Sequence, residues 1–139
     1  MNRILVGLDG SAEEPRVLEA ARGLAERLSA KLLLFRAVPL PVEIPAGAFG
    51  VPPDALGGIL LETAQKHLAE VARTVPPALL GGTKLELGSP WRAICDAAKS
   101  ENADLIVIGS HGYHGLDRVL GTTAAKVVNH ADRSVMVVR

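Results

Sequence analysis

At 139 residues the chain has the length of one domain. Its 48% hydrophobic and 22% charged residues describe a globular protein able to bury a core without disulfides or metals. Fifteen Lys and Arg balance fifteen Asp and Glu, which removes the electrostatic case for non-specific binding to nucleic acid or an anionic membrane. Aromatic residues, at 3%, are too few for a surface that stacks single-stranded bases, and the one cysteine, Cys95, allows no internal disulfide.

The first apolar run, Ile4 to Leu8, ends at Asp9-Gly10. It reads as a strand and is too short for a signal-peptide core. No stretch approaches the ~18 apolar residues of a membrane span, so a soluble, cytoplasmic protein is expected. Val17, Leu18, Ala20, Ala21, Leu24, Ala25 and Leu28 share one helical face. Two starts for that helix compete: a capping box from Ser11 and Glu14, or a later start with Pro15 in the first turn. Leu32 to Phe35, running to about Val38, is the second strand. Pro39 to Pro53 then holds five of the nine prolines and is long for a connection, so it reads as a lid or an excursion. A second helix carries Leu60, Leu61, Ala64, Leu68, Val71, Ala72 and Val75 on one face and stops at Pro76-Pro77. Thr83 to Leu87 alternates as a short third strand. Pro90 opens a third helix that turns Trp91, Ile94, Cys95 and Ala98 inward.

Leu105 to Ile108 is a continuous apolar run, the mark of a strand covered on both faces. A glycine-rich segment from Gly109 to Gly121 follows, then a helix from Thr122 to His130 and a last strand from Ser134 to Val138. Strands and helices therefore alternate from end to end. That order predicts a three-layer α/β fold: a doubly wound, five-stranded parallel sheet with right-handed crossovers. The last strand is apolar. At a sheet edge it would leave an unpaired ladder in water, and pairing with the same strand of a second copy predicts a two-fold homodimer.

The chemistry concentrates between the fourth strand and the fourth helix. Ligands of open α/β sheets bind at the carboxyl ends of strands. Gly109, Gly112, Gly115 and Gly121 let a backbone approach a polyphosphate. The amides at the start of the following helix, with the positive end of its dipole, favour an anion, and Thr122 and Thr123 add hydroxyls. A nucleotide phosphate is the natural guest, although a plain structural loop fits the same glycines. No Gly-Lys-Ser/Thr occurs, so this is not a Walker A loop.

The run Gly109-Ser110-His111-Gly112, eight residues, then Gly121-Thr122 resembles the glycine signature of the universal stress protein family in its small single-domain form. The opening Ile4-Leu5-Val6-Gly7-Leu8-Asp9-Gly10-Ser11 and the ending Ala131 to Val138 are similar to that family's as well. The likeness runs the whole chain, residues 1–139. It implies a Rossmann-like, adenine nucleotide alpha hydrolase-like fold with strand order 3-2-1-4-5, and a homodimer through the last strand. It also implies ATP, with magnesium as an optional companion, at the switch between strands one and four. Carried over by position, Asp9 and Val38 would line the adenine and ribose end. Ile108 and Gly109 would run past the ribose, and Gly112, Gly121, Thr122 and Thr123 would hold the phosphates. The departure is a spacer of eight residues where the family has about nine, which changes how the loop reaches its helix.

Other residues have plainer readings. Asp9 can simply turn the chain, as Asp-Gly pairs do, and Ser11 reads as a helix cap. Arg118 could pair with phosphate or stay solvated. His111 and His114 have no carboxylate cluster beside them, so neither metal ligation nor catalysis is expected of them. His130 suits a helix end. Cys95 and Trp91 read as core, and Phe49 could cover an adenine. Phosphoryl transfer needs a metal-binding carboxylate and a group that orients water. Asp9 stands at the carboxyl edge, Asp117 is a weaker second, and no general base accompanies them. The reading is therefore of a non-enzymatic, ATP-binding stress-response protein whose nucleotide is a signal or structural cofactor. A protein working through an unknown protein partner without nucleotide, and a slow ATP hydrolase, are the alternatives.

Overall fold

The computed structural model describes residues 1–39, 53–110 and 120–139, the side chains of residues 53–56 aside. Nine elements follow in order: β1 (Arg3–Leu8), α1 (Glu14–Leu28), β2 (Lys31–Val38), α2 (Pro53–Arg73), β3 (Leu80–Leu87), α3 (Pro90–Ser100), β4 (Leu105–Gly109), α4 (Thr122–His130) and β5 (Ser134–Val138). The strands form one parallel sheet in the order β3-β2-β1-β4-β5. Both the doubly wound architecture and the expected strand order 3-2-1-4-5 are found.

Alternate residues of each central strand enter opposite layers because side chains along a strand point to opposite faces. Ile4, Val6, Leu32, Leu34, Leu105 and Val107 meet α1 and α2 through Val17, Ala21, Ala25 and Leu68. Leu5, Leu33, Phe35, Ile106 and Ile108 meet α3 and α4 through Ile94, Ala97, Ala98, Ala124 and Val127. The continuous apolar runs of β1, β2 and β4 are the local cause of this two-sided burial. Gly7 allows close packing: a β-carbon there would stand 2.9 Å from Ile108 Cγ2.

Several local expectations are corrected. α1 begins at Glu14 with Pro15 in its first turn and no side-chain cap, so the later start is the one adopted and Ser11 does not cap it. Pro53, assigned to the proline-rich segment, instead opens α2, where a missing N–H costs little. α2 ends at Arg73, so Val75 lies beyond it yet is buried. β3 starts at Leu80, earlier than Thr83. Gly81 and Gly82 disguise its start; there the pairing with β2 shifts register between Leu32 and Leu33, and Gly82 takes a φ of 151°. In α3 the fully buried face is Ala93, Ile94, Ala97 and Ala98, while Trp91 and Cys95 are half-buried at its margin. The rest of the proline-rich segment, residues 40–52 with Phe49, lies outside the described residues.

The amino-terminal edge is tied down by Asp104, whose carboxylate accepts the amides of Asn2 at 2.7 Å and Arg3 at 3.0 Å. The Asn2 amide first, then the Arg3 amide, hold this carboxyl below its usual range. A depressed folded-state value means the contribution is present above the unfolded value of about 4 and lost as pH falls through the folded one. Asp104→Asn should therefore lower the melting temperature at neutral pH, and its gap from the unaltered chain should close in acid. Thermal melts across pH check this, and a gap that stayed constant into acid would refute it.

Candidate functional site

β1 and β4 are neighbours whose following helices, α1 and α4, pack on opposite faces of the sheet. Their carboxyl ends therefore open a crevice at the switch point, where open α/β sheets take ligands. One wall is the turn from β1 to α1. Asp9 is exposed there, and its Oδ1 accepts the amide of Ser11 at 2.9 Å, so the turn role of Asp9 is present. Gly10 has a φ of 74°. Its amide donates to Glu14 Oε2 at 2.5 Å, while Glu14 Oε1 lies 2.7 Å from Nε2 of His67 in α2. Glu14 is only 5% exposed. Both of its oxygens are engaged, and that fixes the turn against two helices. Ser11 Oγ is buried and finds no hydrogen-bond partner among the described residues.

The other wall is the start of α4. Gly121 is its N-cap, in extended conformation and without a side-chain cap. The Gly121 amide donates to the Ser110 carbonyl at 3.2 Å, and Ser110 is itself tied to the Val138 carbonyl at 2.8 Å. The first helical bond is Ala125 N to the Gly121 carbonyl, 2.9 Å. The amides of Thr122, Thr123 and Ala124 precede it and lack an intrahelical acceptor. No acidic residue stands in this first turn, and both threonines are exposed. The result is a bare positive helix end beside a strand terminus.

The remaining expected residues divide by what they can offer. Val38 is buried and its carbonyl accepts the Gly88 amide at 3.0 Å. Ile108 faces the core, so only its backbone borders the crevice, and Gly109 pairs with Val138 of β5. Gly112 lies outside the described residues, as do Gly115, His111, Tyr113, His114, Asp117 and Arg118. Trp91 packs on His130 with ring centroids 4.5 Å apart and the rings tilted by 38°, and His130 Nδ1 lies 2.8 Å from the Lys126 carbonyl. Burial pushes the half-buried Cys95 thiol up, helped by Asp96 and Asp132. No cluster of three or more His, Cys, Asp and Glu fit for a metal occurs among the described residues.

Sequence reading missed three residues at this edge: Glu14 as an anchor, His67 as its partner, and Arg36. The signal for Arg36 was a lone cation in the apolar run of β2. No described helix is long and apolar enough to cross a membrane.

Comparison with known proteins agrees with this fold. The model of the universal stress protein family matches residues 1–139. The chain is 31% identical over 137 residues to universal stress protein A homolog 2 of Coxiella burnetii, covering 98% of this chain and 92% of that protein. It superposes on universal stress protein UspA from Lactobacillus plantarum with a TM-score of 0.81 at 28% identity, covering 99% and 97% of the two chains. It also shares its fold with a universal stress protein solved in complex with cAMP, at a TM-score of 0.61 and 24% identity, covering 99% and 96%.

Proposed function

Because this chain belongs to the universal stress protein family, we propose that it binds an adenine nucleotide, ATP in the first place, at the carboxyl edge between β1 and β4. The observation that carries the reading is the start of α4. Three amides without intrahelical acceptors and two exposed threonines stand there with no acidic residue to neutralise the helix end. Adenine nucleotide chemistry is supported by the family member solved with cAMP. The phosphates lie at Thr122 and Thr123, with Gly121 shaping the approach, and Gly109 runs past the ribose. The base and ribose lie toward Asp9, Val38 and Ile108. A magnesium ion would take most of its ligands from phosphate oxygens and water, since the described residues offer it no carboxylate cluster.

The nucleotide acts as signal or structural cofactor in a stress response, with little or no turnover. Asp9 Oδ1 and Glu14 Oε2 each accept a backbone amide and Glu14 Oε1 meets His67, which gives these carboxylates structural tasks rather than the activation of water. The protein works as a homodimer in the cytoplasm through β5, which lies at the sheet edge with Met136 36% exposed, and passes its state to a protein partner. Denaturing the purified protein and weighing the released small molecules tests the central claim, followed by an ATP titration of the stripped protein. Release of an adenine nucleotide and saturable rebinding are expected. Neither release nor rebinding would leave the second reading, action through protein contacts alone.

A further inference from the structure

We propose that Arg36 is the residue that reads the base of the bound nucleotide, its guanidinium lying against the face of the purine; this rests on the nucleotide reading above. Arg36 sits near the carboxyl end of β2, in register with Leu8, the last residue of β1. Its side chain folds over the β1–α1 turn onto Gly10, where a β-carbon would stand 3.1 Å from Nη2, 3.2 Å from Nη1 and 3.3 Å from Cζ. A residue without a side chain thus makes the seat for the guanidinium.

The cation is seated but not neutralised. Arg36 is half-buried and makes no hydrogen bond or ion pair with a described residue. On the same turn Asp9 Oδ1 holds the Ser11 amide, and the two oxygens of Glu14 meet Gly10 and His67. A guanidinium held in place without an acceptor among the described residues keeps its donors and its flat face open to a ligand. One residue beyond Gly10, the buried Ser11 hydroxyl is also without a partner among the described residues. The Arg36 guanidinium, reaching over from β2, and the Ser11 hydroxyl thus stand at one turn with donors to offer a single ligand.

Position decides which end of the ligand they meet. β2 is two strands from β4 in the sheet, about 10 Å at the usual strand spacing, and α4 follows β4. Phosphates on α4 place the base, not the phosphates, toward Arg36. A planar guanidinium stacks on an aromatic face, which an ammonium does less well.

Titration of the stripped protein with ATP, adenosine and tripolyphosphate tests this in the unaltered chain, in Arg36→Met and in Arg36→Lys. Arg36→Met keeps the apolar stem, and both variants should retain the unaltered circular dichroism spectrum. Each should weaken ATP and adenosine alike by about tenfold and leave tripolyphosphate unchanged. Unchanged ATP and adenosine affinities in both variants would overturn the assignment while the nucleotide reading stands. Full rescue by lysine, or a loss that extends to tripolyphosphate, would overturn the stacking role as well. Failure of the unaltered chain to bind any of the three would sink the nucleotide reading itself, and this one with it.

Discussion

Thr123→Glu should make the protein more stable and nearly unable to bind ATP. Thr123 is exposed in the first turn of α4, a turn with no acidic residue and no side-chain cap. A carboxylate placed there meets the positive end of the helix dipole and should add about 0.3–1 kcal/mol to stability. The same carboxylate would face the phosphates across a few ångströms. Like charges so placed cost several kcal/mol, so ATP affinity should fall about 100-fold or more. The opposite signs give the test its force: damage to the fold would lower both quantities together. Thermal melts and equilibrium titrations measure them separately, with Thr123→Ser as the variant expected to change neither much. Unaltered ATP affinity in Thr123→Glu would remove the phosphates from this helix end.

Phe35→Ala should destabilise the whole domain by about 3–5 kcal/mol, since the transfer and cavity terms add for a large aromatic. Phe35 is fully buried in β2, in the layer built from Ile94, Ala97, Ala98, Ile106 and Ile108. It pairs with Gly7 of β1, and the backbone at both positions is held by the sheet, which limits how far the surroundings can close over the gap. Domains of this size are stable by roughly 5–15 kcal/mol in all. A loss of that size should lower the melting temperature by roughly 10–20 °C. Circular dichroism melts would measure it. A fall of only a few degrees would show that α3 collapses into the space. Arg36 is the next residue, so nucleotide binding should weaken in step with any shift of β2.

Much of this fold is local chemistry. The runs Ile4 to Leu8, Leu32 to Phe35 and Leu105 to Ile108 are apolar on both faces, which by itself demands helices above and below. Helical spacing in between supplies those helices, and glycines before Thr122 mark where the backbone lies bare. Strand order came from the family likeness, because periodicity says that a strand exists but not which strand lies beside it. Boundaries that depend on a partner escaped as well: β3 begins at Leu80 because the edge of β2 is there to receive Leu80 and Gly82 across the register shift at Gly81, where two glycines taken alone argue against a strand.

The composition and periodicity of the chain determined a parallel α/β domain with an anion-ready helix start after its fourth strand. Tertiary structure alone decided how the facing wall is built. Glu14 and His67 are 53 residues apart in the chain yet 2.7 Å apart in space, and Arg36 reaches Gly10 only because β1 and β2 are paired in that register. The physical reason is that helical and strand periods record which face of an element is buried. The partner of a single charged group is set by where the chain returns after its crossovers, and no local pattern carries that.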